Sequence, residues 1–148
     1  MRTISFLGLI VSLLNGAWML SSSFAGEPTK DLLAHYVAIQ KALAADDSSQ
    51  AISEAKALKA KVGAEKSANI KNIGDTAKAL SSAKSLNDAR KHFKKLSEPF
   101  VDWIKKNEDS DYNVIYCPMA GASWVQEKGE ILNPYLGKQM LSCGEKRS

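Results

Sequence analysis

Apolar residues recur at helical spacing in four successive stretches between residues 28 and 107. Residues three and four apart lie on one face of a helix, so each stretch predicts an amphipathic helix with a single apolar stripe. Four such helices joined by short polar links can bury their stripes against one another. They predict an all-α, up-down four-helix bundle. The stripes are Leu32, Tyr36, Ile39 and Leu43; Ala51, Ala55, Leu58 and Val62; Ile70, Ile73, Ala77 and Leu80; and Leu86, Phe93, Leu96, Phe100 and Trp103.

Polar residues, proline and glycine mark where these helices begin and end. Pro28 suits a first turn, and Gly63 is a natural stop for a second helix that we expect over residues 49–62. Ser85 is a suitable N-cap for the fourth helix. Pro99 lies inside that last pattern. Because proline lacks a backbone donor, we expect the fourth helix to kink or to restart there.

The first 25 residues have the character of a secretory signal peptide. A positive charge near the start precedes the mostly apolar run Ile4–Leu14, and small residues lead up to Ala25. A retained membrane anchor is the alternative, but polar residues interrupt the run, which is short for a span of about 20 residues. We predict cleavage after Ala25. Residues 26–148 then form one periplasmic or secreted helical-bundle domain without membrane attachment.

The charge pattern gives no support for a nucleic-acid partner. The chain of 148 residues carries 20 Lys and Arg against 16 Asp and Glu, a net charge of +4. These charges are spread along the predicted helices, without a dense basic block interleaved with aromatic residues. No catalytic triad, phosphate-binding loop or zinc-protease motif is recognisable. We therefore predict that the protein is not an enzyme.

From residue 109 to residue 148 the sequence changes to a Gly- and Pro-rich segment that we expect to be irregular and packed on the bundle. Within it, Tyr112–Cys117 is rich in β-branched and aromatic residues and predicts a short extended stretch. Asn133–Gly137 is typical of a turn, which would position the residues after it. Residues 137–143 are long enough for one further short turn.

All sulfur beyond the predicted signal peptide lies in this segment, at Cys117, Met119, Met140 and Cys143. Residues two apart on a strand, or three apart on a helical turn, share a face, so each pair is able to direct its sulfurs to one point. Thiolate and thioether are soft ligands that suit Cu(I). We predict that these four residues bind Cu(I), with Ag(I) as a second soft ion.

A disulfide between Cys117 and Cys143 is the competing interpretation of the two cysteines. Export places a cysteine pair in an oxidising compartment, where such pairs form disulfides. The protein would then be a metal-free interaction domain stapled by this bond. A reactive-thiol role for Cys117 is a third reading, with no histidine near it in sequence to activate it.

Three further residues are candidate accessories to the site. Trp124 lies between the two sulfur-bearing runs, where it would either shield a bound cation or pack the segment onto the bundle. His35 and His92 would either supply a nitrogen ligand from the bundle or be surface or half-buried histidines.

The run CPMAGASWVQEKGEILNPYLGKQMLSCGE, residues 117–145, resembles the C-terminal signature of the domain-of-unknown-function 3347 family. The shared elements are Cys-Pro-Met-Ala, Gly-Ala-x-Trp, Asn-Pro-Tyr-x-Gly and Met-Leu-x-Cys-Gly, while Tyr116 stands where the family pattern has histidine. Members are exported bacterial domains, found alone or fused to periplasmic adaptors of CusB-type copper/silver efflux systems. The resemblance implies a helical domain in periplasmic copper handling, with an efflux adaptor or a copper chaperone as its partner.

Overall fold

The computed structural model describes residues 28–63 and 68–147, so the predicted signal peptide lies outside the described residues. Four helices come first: α1 (Lys30–Ala44), α2 (Ser48–Val62), α3 (Ala68–Ser81) and α4 (Leu86–Asn107). Side-chain oxygens of Thr29, Asp47 and Ser85 accept the free amides at the starts of α1, α2 and α4. This capping follows from the four unpaired amides that every helix start leaves.

The four helices pack as the predicted bundle, each against the next along the chain, and α1 also contacts α4. The predicted stripes form its core, with Val62, Leu86 and Trp103 only partly buried at the ends. The sequence predicted that the fourth helix would kink or restart at Pro99. The predicted restart was wrong, because α4 continues through Pro99 without interruption. A proline inside a helix removes only one backbone hydrogen bond, and the buried face of α4 on both sides of it holds the helix together.

The prediction of an all-α fold was wrong, because the segment after α4 forms a three-stranded antiparallel sheet and the protein is α+β. Its strands are β1 (Tyr112–Cys117), β2 (Ala122–Glu127) and β3 (Glu145–Arg147), in the order β2-β1-β3. The expected extended stretch is β1, and the expected short turn is a 3-10 helix, Gly137–Gln139. The sequence of β2 lacks the alternation of apolar and polar residues typical of a half-buried strand, because Trp124, Val125 and Gln126 are buried in succession.

The sheet docks on the bundle through β2, which packs against α4 and α1. Tyr36 of α1 stacks on Phe93 and Phe100 of α4, with ring centroids 5.1 and 4.3 Å apart. Its hydroxyl donates to Ser97 Oγ at 2.9 Å and accepts from the Val125 amide at 3.1 Å. The Val125 amide, on the edge of β2 that faces away from β1, is therefore paired with the bundle rather than open to another strand.

Candidate functional site

The two cysteines meet where β1 ends and β3 is about to begin. Cys117 is the last residue of β1, and Cys143 lies two residues before β3, which pairs with β1. Their sulfur atoms are 2.6 Å apart, although the residues are 26 positions apart in sequence. Cys117 is fully buried, whereas Cys143 is half-buried. The fold thus unites the two sulfur-bearing runs at one pair of thiols, one within the protein and one at its surface.

Donors from the turn after Cys117 and from the second sulfur-bearing run affect the ionisation of its thiol. Burial opposes ionisation of this thiol, but hydrogen bonds from Cys143, the amides of Ala120 and Met119, and the Asn133 side chain outweigh it, so the pKa of Cys117 is lowered. The hydrogen bond to Cys117, then burial, raises the pKa of Cys143. The pair therefore loses its first proton from Cys117, because donors around a sulfur stabilise the thiolate.

Asn133 holds the second sulfur-bearing run in place, as the predicted turn implied. It is fully buried, and its Nδ2 donates to the Cys143 carbonyl at 2.6 Å. Its Oδ1 accepts the amides of Tyr135 and Leu136, at 2.8 and 2.9 Å, and its own amide donates to the Leu141 carbonyl at 2.8 Å. One side chain thereby sets both the turn and the position of Cys143 beside Cys117.

An ion pair from the bundle fixes the same loop from the other side. Arg90 donates to the Asp46 carboxylate and, through Nε, to the Pro134 carbonyl at 2.9 Å. Gly137 has a φ of 56°, and a Cβ there would overlap the Asp46 and Arg90 side chains. Sequence reasoning missed this clamp. Gly137 was its one sequence signal, because Asp46, Arg90 and Gly137 lie on separate parts of the chain.

Both predicted methionine ligands border the thiol pair through their backbones. The Met119 amide lowers the pKa of both thiols, and the Met140 carbonyl accepts the Cys143 amide at 3.0 Å. Their side chains are 69% and 44% exposed, the large apolar side chains most open to water in the described part of the chain. Both methionine side chains are therefore accessible to solvent, Met119 more than Met140.

Trp124 is a fully buried residue behind the Cys143 loop. Its Nε1 donates to Gln126 Oε1 at 3.0 Å, and its ring meets Tyr135 edge-on with centroids 5.8 Å apart. Gly144, next to Cys143, lies against the Trp124 ring and leaves no room for a Cβ. This position supports the loop from within. Trp124 therefore joins β2, Tyr135 and the Cys143 loop within the C-terminal segment.

Each candidate histidine has a carboxylate as its neighbour. His35 Nδ1 lies 3.0 Å from Glu54 of α2, and His92 Nε2 lies 3.6 Å from Asp88, one turn earlier in α4. Within residues 28–63 and 68–147, no three His, Cys, Asp or Glu side chains form a group able to hold a metal. Of the four predicted sulfur ligands, the structure shows contact between the sulfur atoms of Cys117 and Cys143.

No helix among the described residues is long and apolar enough to cross a membrane. Searches of curated proteins and of solved structures found no match. A model of the family described as "Protein of unknown function (DUF3347)" matches residues 32–111, which span the four helices and stop before β1. The match thus lies on the scaffold that carries the thiol pair, outside the C-terminal run that gave the resemblance. Because it covers more than half of the sequence, the protein belongs to the DUF3347 family.

Proposed function

We propose that the protein is exported and binds Cu(I) or Ag(I) as cargo, through Cys117 and Cys143 with assistance from Met119 and Met140. It would buffer the metal in the periplasm or pass it to an efflux adaptor or a copper chaperone. The observation that carries this proposal is the adjacency of the two thiols, whose sulfur atoms are 2.6 Å apart, near two residues with exposed methionine side chains.

The donor set suits a soft monovalent ion. Thiolate and thioether sulfur favour Cu(I), whereas zinc sites use four Cys or His ligands and calcium uses oxygen. Two thiolates and one Cu(I) carry a net charge of −1. Donors from Met119, Ala120 and Asn133 reach Cys117, where they would stabilise that charge.

The unequal exposure of the thiols supports delivery and release. Transfer by ligand exchange needs one sulfur that an incoming ligand can reach, and Cys143 is the half-buried one. Cys117 is fully buried and would stay with the metal longest. Admitting an ion requires the sulfurs to separate. Cys143 lies on a loop outside the strands, whereas Cys117 is held by strand pairing with Ala122.

A competition titration tests the proposal. Reduced protein is titrated with Cu(I) without oxygen, against a coloured chelator, and we expect one Cu(I) per chain. Cys117→Ser or Cys143→Ser should weaken binding by more than about 100-fold, beyond the effect of outer-shell changes. Met119→Leu and Met140→Leu keep the apolar shape without the sulfur and should each cost about 10-fold, with Gln139→Ala as an exposed control. Retention of all copper by the chelator, or unchanged affinity in both cysteine variants, would contradict the proposal.

The second candidate function is a metal-free interaction domain in which the cysteines form a structural disulfide. The same adjacency of Cys117 and Cys143 favours it, because two neighbouring thiols oxidise readily outside the cytoplasm. Counting free thiols in protein purified without reductant from the exported fraction separates the two. No free thiols, together with no Cu(I) uptake after reduction, would leave the stapled domain.

A further inference from the structure

We infer that the thiol site is built to receive an acidic partner that presents its own sulfur ligand. The docking surface consists of the exposed methionines Met119 and Met140 and a rim of lysines: Lys91, Lys94, Lys95 and Lys138. This inference rests on the proposed function and adds the chemistry of the partner to it.

The rim is placed by contacts between α4 and the sulfur-bearing loops. Lys94 Nζ donates to the Ala120 carbonyl at 3.3 Å, which sets an ammonium group on the turn that carries Met119. One turn earlier in α4, Arg90 holds the Pro134 carbonyl, so the helix lies alongside both loops. Lys91, a neighbour at helical spacing, and Lys95 are exposed on the same helix.

The second loop contributes a further cation beside the other methionine. Lys138 is exposed and lies two residues before Met140, and its amide is anchored on Asp46. The Asp46 carboxylate is engaged mainly by Arg90, and it also interacts electrostatically with Lys138. On α4, Asp88 lies one turn before Lys91, and Glu98 lies one turn beyond Lys94. The four rim lysines and Arg90 outnumber the acids Asp46, Asp88 and Glu98, so the balance of charge on this face is positive.

The combination of thioethers and lysines indicates the kind of partner. Methionine is flexible and adapts to different apolar surfaces, which suits a transient contact during ligand exchange. A positive rim raises the rate of encounter with a negatively charged partner by about 10-fold to 1,000-fold at low salt. A partner with aspartates or glutamates around its own Cys or Met would be steered to Cys143.

Two Cu(I)-loaded synthetic peptides test the inference. They carry the same Met and Cys ligands, flanked by four aspartates in one and four lysines in the other, and stopped-flow absorbance follows transfer to the reduced protein. At low salt we expect transfer from the acidic peptide to be at least about 10-fold faster, with the ratio falling towards one in about 1 M salt. Equal rates from the two peptides at low salt would overturn the inference.

Charge-reversal variants locate the effect. Lys94→Glu with Lys138→Glu should reduce the preference for the acidic peptide to less than about 2-fold. Lys59→Glu with Lys78→Glu changes the same charge beside a cavity between α2 and α3 and should keep the preference. Loss of the preference in that control pair would also overturn the inference.

A metal-free measurement separates this inference from the proposed function. The acidic peptide without copper is added to ¹⁵N-labelled protein, and we expect amide shift changes centred on Lys94, Ala120 and Lys138. Shift changes centred elsewhere, or none, would overturn the docking surface even if the protein binds Cu(I). Shift changes at this site without any Cu(I) uptake would retain the surface and reject the metal.

Discussion

Oxidation of the purified, reduced protein should join Cys117 to Cys143 and stabilise the fold. The two sulfurs are already neighbours in the folded protein, so the bond can form without rearranging β1 or the Asn133 turn. A disulfide acts mainly on the unfolded chain, whose freedom it restricts. The same reaction consumes both thiolates, so the oxidised protein should take up no Cu(I).

The size of the stabilisation follows from the separation of the cysteines. They are 26 positions apart, and the chain-entropy treatment then gives about 3.5 kcal/mol at 25 °C. For a domain of this size, such a change raises the unfolding midpoint by roughly 10–15 °C. An effect of this magnitude is several times larger than the error of a denaturant titration.

The assay compares urea unfolding of the protein with and without reductant, after free thiols have been counted. Cys143→Ser cannot form the bond and should unfold at the same urea concentration in both conditions. Two free thiols persisting after a mild oxidant would refute the adjacency. An intramolecular bond with unchanged stability would refute the chain-entropy reasoning.

Three substitutions test how the site is held. Asn133→Ala should lower the free energy of unfolding in urea by about 2–4 kcal/mol, because two amides and the Cys143 carbonyl lose their hydrogen-bond partner. A loss under about 1 kcal/mol would show that Asn133 does not organise the turn. Gly137→Ala should destabilise the protein more than Gly129→Ala in the same assay. Both glycines have positive φ, but only at Gly137 would the added Cβ overlap side chains. Equal losses of stability would show that this overlap has no effect. The Arg90 hydrogen bond lowers the pKa of Asp46 from its ordinary value of 3.8, so the stability that this group contributes is present above that pH and is lost as the pH falls through the lower, folded value. Asp46→Asn should therefore flatten the fall in urea midpoint between about pH 4 and 2, and an unchanged profile would contradict this.

The helices could be predicted from sequence because each buries one regular stripe. Ala51, Ala55 and Leu58 recur at helical spacing in α2 and lie in the core, and Ser85 caps α4 as expected. Such signals are local, because the apolar repeat and the N-cap each involve residues only a few positions apart in the sequence.

The sheet could not be predicted as such, because its determinants are not local. Strand β2 is buried on both faces, and β3 consists of three exposed charged residues, so neither shows the alternation typical of a half-buried strand. Both strands are defined by pairing with β1, whose own β-branched and aromatic residues were recognisable. The all-α prediction failed for this reason.

The site was predicted in part. The residue types at Cys117 and Cys143, with methionines at close spacing, indicated which residues to consider, and the fold brings the two cysteines together. The clamp of Asp46 and Arg90 and the contacts of Tyr36 with Ser97 and Val125 join residues far apart in sequence. Nothing in the local pattern around these residues signals such contacts.

X-ray absorption at the copper edge of the reduced, Cu(I)-loaded protein tests the central claim most directly. If the cysteine pair and its adjoining methionines bind the metal, the first shell should contain sulfur alone, and Met119→Leu with Met140→Leu should lower the number of sulfur neighbours. A shell that contains nitrogen or oxygen, or a protein that retains no copper after desalting, would contradict it.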